Sequence, residues 1–450
     1  MQAVKRVENF RNVSFRFLGA DIWPVVRNSI MTSSTHARSS PVTSRSIKVI
    51  PTLLDAAKLL FTSKKVHTLI LTSDKFTESL SGNIYYKGAQ SFIDHCSEEN
   101  KRAEVLVQGK NNNRSLNLSV RSIFFYSGAC YILAKLLVVL DRFSGVDSYA
   151  KDCILQFSRE ANGQALMAEK KALLRNIYVV AFLSAFFKFY LKRVKPEKCY
   201  VICYYSCLGM AFCSACNQLN IDVFDIQHGM SGKNMRAYGQ WENTYGITYN
   251  TLPKFFLCWT KFDKMAIDYW IEAGNNSKSK KALVTGDLWK NYIENNKLDG
   301  FQVRNLASLL PQGGQRTFVL ITLNSLSLNE TFADLINRSS PNIFFLIRAH
   351  PNNRNIAKLR EFEQTIKRIN SNISVINATL FPMQAVIKST DIHVTEWSAS
   401  VYDAYLEGVF SIVTSPVGRD YFEDFIASGY VAYISSVDEL ISIIERTAET

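Results

Sequence analysis

From about residue 46 the chain alternates short, uninterrupted apolar runs with longer stretches of helical spacing. Val66–Thr72 (VHTLILT) and Ala103–Gln108 (AEVLVQ) read as buried strands, with a further strand within Leu116–Tyr126 and helices over 129–142 and 163–194. The clearest unit follows: Lys198–Tyr205 and Ile221–Ile226 are β-type runs separated by the helical period of Leu208–Leu219. Strand, helix and strand at that spacing predict a βαβ crossover and a parallel sheet. Phe255–Trp259 adds a strand, Thr260 an N-cap, 261–273 a helix closed by Gly274, and Ala282–Thr285 another strand.

After the polar segment 287–315 a second alternation begins. Strands are predicted over 317–323, 343–348, 373–376, 391–395 and 409–414. Helices are predicted over 330–337, 354–369, 382–389, 400–407, 420–427 and 437–446. Repeated βα units predict a second doubly wound domain. The fold class is therefore α/β, with two Rossmann-like domains facing each other across a cleft, the GT-B layout.

Length agrees, since 450 residues exceed one ordinary core. The expected division is an irregular or membrane-docking segment 1–45, an acceptor domain 46–290, a hinge 291–315 and a nucleotide-donor domain 316–450. The stretch 16–30 is amphipathic and aromatic, suited to lipid or to the body of the protein, and 32–46 is a Ser/Thr-rich linker.

Composition narrows the partners. Apolar residues at 47% and charged residues at 20% exclude disorder of the bulk. Fifty-two basic against 39 acidic residues leave a net charge of +13. The excess is spread along the chain without a nucleic-acid-binding signature, so the expected partners are an anionic membrane surface and phosphate ligands, not nucleic acid. Nine cysteines sit in apolar runs; Cys213 and Cys216 form a lone CxxC with no second CxxC or CxxH pair at zinc spacing, so no metal site is expected and the thiols read as those of a reducing compartment. No signal peptide is apparent. The apolar run Ile177–Phe187 has eleven residues, too few to span a bilayer, and its basic flanks suit either a helix lying on an anionic membrane face or a core helix with charged ends.

Three constellations carry candidate chemistry. In 225-DIQHGM-230, His228 stands before a glycine at a strand's carboxyl end, where an imidazole of near-neutral pKa suits proton abstraction, with Asp225 as a second candidate. In 347-IRAHPNN-353, Arg348 offers a planar fork and His350 a donor for phosphate, on one face if the strand continues. In 394-VTEWSASVYDAYLEG-408 a strand ends at Thr395 and a helix begins near Ser398 and Ser400, which makes Thr395, Glu396, Ser398 and Ser400 candidates for the donor's phosphate or nucleotide. Hydroxyls and backbone N–H groups at a helix start suit an anion, and Asp403 suits a sugar hydroxyl; the bland alternative is a serine N-cap. A weaker feature is 322-TLNSLS-327, where Asn324 and Ser325 follow the first strand of the second domain.

Taken in order, the His-Gly loop, Arg-x-His-Pro and the Ser-rich helix start resemble bacterial GT-B proteins of surface-polysaccharide assembly, over roughly residues 195–435. These are capsule and O-antigen glycosyltransferases, CMP-sugar transferases and CDP-polyol phosphotransferases. The resemblance implies phosphate contacts for His350, Ser398 and Ser400, and the role of base for His228. The acidic pair before a glycine that serves sialyltransferases as base is absent from this chain. The implied activity is metal-independent transfer of a sugar from a nucleotide-sugar substrate, with no cofactor, to a lipid-linked oligosaccharide acceptor, at the cytoplasmic face of the inner membrane. The alternatives are polyol-phosphate transfer of teichoic-acid type and a non-catalytic carbohydrate- or nucleotide-binding partner.

Overall fold

The structure, a computed structural model, describes residues 15–33, 64–80, 83–108, 119–140, 146–153, 166–235, 237–239, 241, 248–274, 279–296, 306–311, 316–350, 353 and 355–449. The chain forms two compact units, Met1–Trp289 and Lys290–Thr450.

The first unit is built on seven strands: β1 (Thr68–Ser73), β2 (Ala103–Gln108), β3 (Ser119–Ser122), β4 (Lys198–Ile202), β5 (Asp222–Ile226), β6 (Phe255–Cys258) and β7 (Lys281–Val284). Every neighbouring pair is parallel, and the spatial order is β7-β6-β5-β4-β1-β2-β3. Read from the other edge this is 3-2-1-4-5-6-7, the doubly wound order whose direction of growth reverses between β1 and β4. Strand β1 is buried almost throughout because both faces of the sheet are covered, which is why its sequence reads as a continuous apolar run.

Helix α1 (Trp23–Ser33) and a short β-pair, Arg16–Phe17 with Ala20–Asp21, pack on the body of the unit. Trp23 and Val26 join its core, and the Arg27 guanidinium lies over the Trp241 ring at 3.9 Å. Of the two placements open to 16–30, these residues take the body of the protein. Residues 34–63, with most of the expected linker, lie outside the described residues.

Helices α2 (Phe124–Leu140), α3 (Leu166–Val194), α4 (Cys207–Gln218) and α5 (Lys261–Ala273) are among those covering its sheet. The expected strand at 116–126 shrinks to β3, and α2 starts directly after it. The apolar run at 177–187 extends further than its sequence suggests. Within α3, Lys170–Val194 is long and apolar enough by length and composition to cross a membrane, yet 56% of its most apolar window is buried. Ile177, Val180, Ala181, Phe187 and Tyr190 enter the core, and Ser184 Oγ donates to Ser214 Oγ of α4 at 3.0 Å. These contacts are those of a core helix. Helix α5 starts with the expected cap: Asp263 N–H donates to Thr260 Oγ1 at 3.2 Å while Thr260 N–H donates to Asp263 Oδ2 at 3.0 Å.

The second unit holds β8 (Thr317–Thr322), β9 (Ile343–Arg348), β10 (Ile373–Ser374), β11 (Ile392–Thr395), β12 (Phe410–Val413) and β13 (Val431–Tyr433). All pairs are parallel and the order is β10-β9-β8-β11-β12-β13, again 3-2-1-4-5-6, reversing between β8 and β11. Helices α6 (Glu330–Arg338), α7 (Ile356–Lys367), α8 (Ser400–Leu406), α9 (Pro416–Tyr421) and α10 (Val437–Glu449) are among those covering it. The expected helix 382–389 is shorter, Met383–Ile387, with Pro382 at its N-cap, and 420–427 divides at Phe422. Two Rossmann-like units in one chain make the fold GT-B in class, as the alternation of runs implied.

Candidate functional site

In open parallel sheets the loops leaving the two strands that flank the reversal enclose a crevice for ligands. In the first unit those loops follow β1 and β4. Phe76 follows β1, Tyr205 follows β4, and His228 stands two residues beyond β5. The three meet. The Tyr205 hydroxyl lies 3.1 Å from His228 Nε2, and Phe76 packs its ring against the imidazole at a 4.8 Å centroid distance.

The local backbone is held in a tight turn. Cys203 takes φ +69, in the left-handed region that disfavours side chains with a Cβ. Helix α4 then starts so close beneath the turn that a Cβ on Gly209 would stand 2.6 Å from the carbonyl oxygens of Cys203 and Tyr204. Ser206 caps that helix by accepting from Gly209 N–H at 3.0 Å. Gln227 fixes the His-Gly loop: its side chain donates to Gly229 O at 2.9 Å and accepts from Trp259 N–H at 2.7 Å.

His228 is not near neutrality, as the sequence suggested. Burial pushes its pKa down to about 4, partly offset by the Ile226 backbone, and Nδ1 is shut from solvent. The ring is therefore neutral at pH 7, and Nε2 is the nitrogen that meets the Tyr205 hydroxyl. Asp225 is corrected more strongly. It is buried, its carboxylate accepts from Tyr204 N–H (3.2 Å) and the Tyr238 hydroxyl (2.9 Å), and burial pushes its pKa up to about 8. A carboxyl that holds its own proton at pH 7 and is walled off by tyrosines orders the loop and is unsuited to take a proton from a substrate.

In the second unit the reversal places the loops after β8 and β11 together. Beneath them lies a buried polar cluster centred on a residue the sequence reading missed, His393 of β11. Its Nδ1 stands 2.9 Å from Ser411 Oγ, while Nε2 stands 2.9 Å from Thr322 Oγ1 and 3.2 Å from Ser400 Oγ. Thr322 and Ser400 hydroxyls are themselves 2.9 Å apart, and Thr395 Oγ1 donates to Thr322 O at 2.9 Å. All five residues are buried, and burial pushes His393 down to about 3, so it is neutral. The signal was available: one imidazole inside an otherwise apolar strand must find partners.

This cluster reassigns two expected phosphate ligands. Ser400 and Thr395 spend their hydroxyls on the scaffold. Ser398 remains at the loop, with its Oγ accepting from Ser400 N–H at 3.3 Å. The N-cap is Ala399, whose side chain makes no cap, while Ser398 one residue earlier accepts from the helix's first N–H, so the bland alternative of a serine serving the helix start is met in part. Glu396 and Asp403 are partly buried beside it. On the facing loop, Asn324 Nδ2 is shut from solvent and has no hydrogen-bond partner, and exposed Ser325 shares a 2.7 Å hydrogen bond with Ser327.

Arg348 is also corrected. Its Nη1 donates to the carbonyls of Ala378 and Phe381, the latter at 2.7 Å, so the guanidinium closes the end of a short helix from a buried position. Strand β9 ends at Arg348, with Ala349 N–H bonded to Thr379 Oγ1, so the alternation does not continue and His350 turns out to the surface. Pro351 and Arg354 lie outside the described residues. Among the described residues no three His, Cys, Asp or Glu side chains gather as metal ligands, and all nine cysteines are free thiols.

The loop after β11 is pinned by its neighbour. Ser415 Oγ donates to Glu396 O at 2.7 Å, and a Cβ on Gly418 would stand 2.2 Å from that same oxygen. Gly418→Ala is therefore expected to displace residues 396–398 and cost about 1–3 kcal/mol by overpacking. Urea unfolding would show it as a lower midpoint at unchanged slope.

No protein-family model matches the chain, and no curated protein matches it. Solved structures do. UDP-N-acetylglucosamine 2-epimerase from Rickettsia bellii is 9% identical, with TM-score 0.49, covering 86% of this chain and 88% of its own. The UDP-GlcNAc 2-epimerase of Methanocaldococcus jannaschii is 13% identical, with TM-score 0.48, covering 85% and 93%. The calicheamicin glycosyltransferase CalG4 is 10% identical, with TM-score 0.44, covering 86% and 90%.

Proposed function

We propose that the chain is a glycosyltransferase that moves a sugar from a nucleotide-sugar donor to a lipid-linked saccharide of bacterial surface-polysaccharide assembly, such as capsule or O-antigen. The observation that carries this reading is that each unit gathers polar side chains at the reversal of its sheet. Asn324, Ser325 and Ser398 do so in the second, and His228 with Tyr205 in the first.

In this reading the second unit takes the donor. The Asn324 amide and the hydroxyls of Ser325 and Ser398 donate to phosphate oxygens, whose charge grows as the bond to the sugar breaks. His350, exposed after β9, adds a donor from the neighbouring strand. The scaffold of His393, Thr322, Thr395 and Ser400 keeps the loops in place. The first unit serves the acceptor. Because Nδ1 of His228 is sealed and Nε2 faces Tyr205, the acceptor hydroxyl gives its proton to the Tyr205 oxygen as the Tyr205 proton passes to Nε2. The acceptor oxygen bonds to the sugar's anomeric carbon, and the nucleotide leaves with the electrons of the broken bond.

Attachment at the cytoplasmic face of the inner membrane is part of the proposal. Leu133 and Leu136 of α2 are 46% and 55% exposed beside exposed Lys135, and Phe189 of α3 is exposed near Lys192 and Arg193. Apolar side chains among basic ones, on a chain of net charge +13, suit an anionic bilayer.

The test is to incubate the full chain with UDP-, GDP-, CMP- and CDP-linked donors, with and without membrane-extracted acceptor, and to weigh the product. One nucleotide sugar should be consumed only with acceptor, which gains a glycosyl mass without phosphorus. A product gaining a polyol phosphate would assign phosphotransfer instead, and consumption of no donor would point to a binding protein.

A further inference from the structure

Helix α5 of the first unit buries one face in the core through Phe262, Ala266, Ile267, Trp270 and Ile271. On its outward face Met265 is 63% exposed and Tyr269, one turn on, is 72% exposed. Residues four apart lie one above the other on a helix, so the two side chains form one apolar patch. The patch reaches β7, the edge strand that α5 packs beside. Exposed Val284 shares its side of the sheet with Ala282, which enters one core with Trp270 and Ile271. A single exposed apolar side chain is ordinary, but large ones stacked on one stripe and continued on a sheet edge gain by being covered.

The charges flanking the patch say what covers it. Exposed Lys261 stands one turn before Met265, and exposed Glu272 stands just under a turn after Tyr269. At roughly 100° per residue all four fall on the same outward stripe. Its order is cation, apolar, apolar, anion, and the midpoints of Lys261–Glu272 and Met265–Tyr269 coincide near Ile267. Two copies of α5 laid antiparallel about a twofold axis at that point set each Lys261 against Glu272 of the other copy. The same axis sets each Met265 against Tyr269 of the other copy, as an isologous contact requires. At the flank Lys264 and Asp268 pair along the helix and leave no single charge at the border. We propose that the outward face of α5 docks a second copy of this chain, giving a twofold dimer.

Sedimentation equilibrium of the full chain across micromolar concentrations tests this. The wild type should reach twice the mass of one chain. Met265→Glu sets a carboxylate against the Tyr269 ring of the second copy and should raise the dissociation constant about a hundredfold. Lys261→Glu and Glu272→Lys each bring like charges together and should raise it about tenfold. Mixing these two variants should restore association, because each supplies the charge that the other lacks. Both reversals put charge at the helix end where the dipole favours it, so α5 itself should not weaken, and unchanged thermal melting would show this. A wild type that stays monomeric would overturn the proposal. So would a dimer that Met265→Glu leaves intact, or single variants whose mixture fails to associate.

Discussion

Replacing His393 with alanine is expected to destabilise the second unit by about 3–5 kcal/mol. The imidazole is fully buried and joins Thr322, Ser400 and Ser411 across β8, β11, β12 and the start of α8. Its removal leaves three buried hydroxyls with fewer partners and a cavity under the candidate loops, and both effects act in the same direction. Hydrogen exchange of β8 and β11 amides would read the loss locally, and faster exchange confined to this unit is the expected result. The pH dependence has a fixed sign. An unfolded histidine takes a proton near pH 6.5, whereas buried His393 declines one until about pH 3. Between those values the unfolded state binds more protons, so stability falls as pH is lowered, by up to about 1.4 kcal/mol per pH unit. His228 adds the same sign in the first unit, between about 6.5 and about 4. A His393→Gln variant should unfold with a shallower acid slope, and an unchanged slope would remove His393 from this role.

The largest effect on activity is expected at His228. His228→Gln should lower sugar transfer by about 10²–10⁴, the span typical of a general base, while nucleotide binding stays near wild type. Tyr205→Phe should fall in the same range, because it removes the hydroxyl that meets Nε2 at 3.1 Å. The pH profile separates this from a structural role. Burial holds the imidazole neutral to about pH 4, so the acid limb of the transfer rate should lie near 4. An acid limb near 6.5, the value of a solvated histidine, would contradict the geometry, as would a His228→Gln enzyme of full activity.

Much of the architecture was legible in the sequence because parallel strands covered on both faces need continuous apolar runs, and 317-TFVLIT-322 and 343-IFFLIR-348 have no other good use. The short elements were harder. Strand β13 has three residues after Gly429 at φ +76, too few to set a period, and it was missed. The candidate site divides the same way. Chain position after a strand placed Ser398 and Asn324 at the second sheet's reversal and His228 at the carboxyl end of β5, since that depends only on strand order. What each side chain does depends on distant partners. Arg348 reads as a phosphate fork until the carbonyls of Ala378 and Phe381, some thirty residues on, occupy it. Ser400 reads as a ligand until His393 and Thr322 claim its hydroxyl. Tyr205 gave no motif, since an aromatic residue in a loop gains meaning only when it is seen to meet an imidazole.

The most direct measurement is hydrogen exchange of the full chain with and without a saturating nucleotide-sugar donor. A donor held at the second sheet's reversal predicts slowed exchange over residues 323–328 and 396–401, with the strands of the first unit unchanged. Protection confined to the first unit, or none at a donor concentration that shifts the melting temperature, would contradict it.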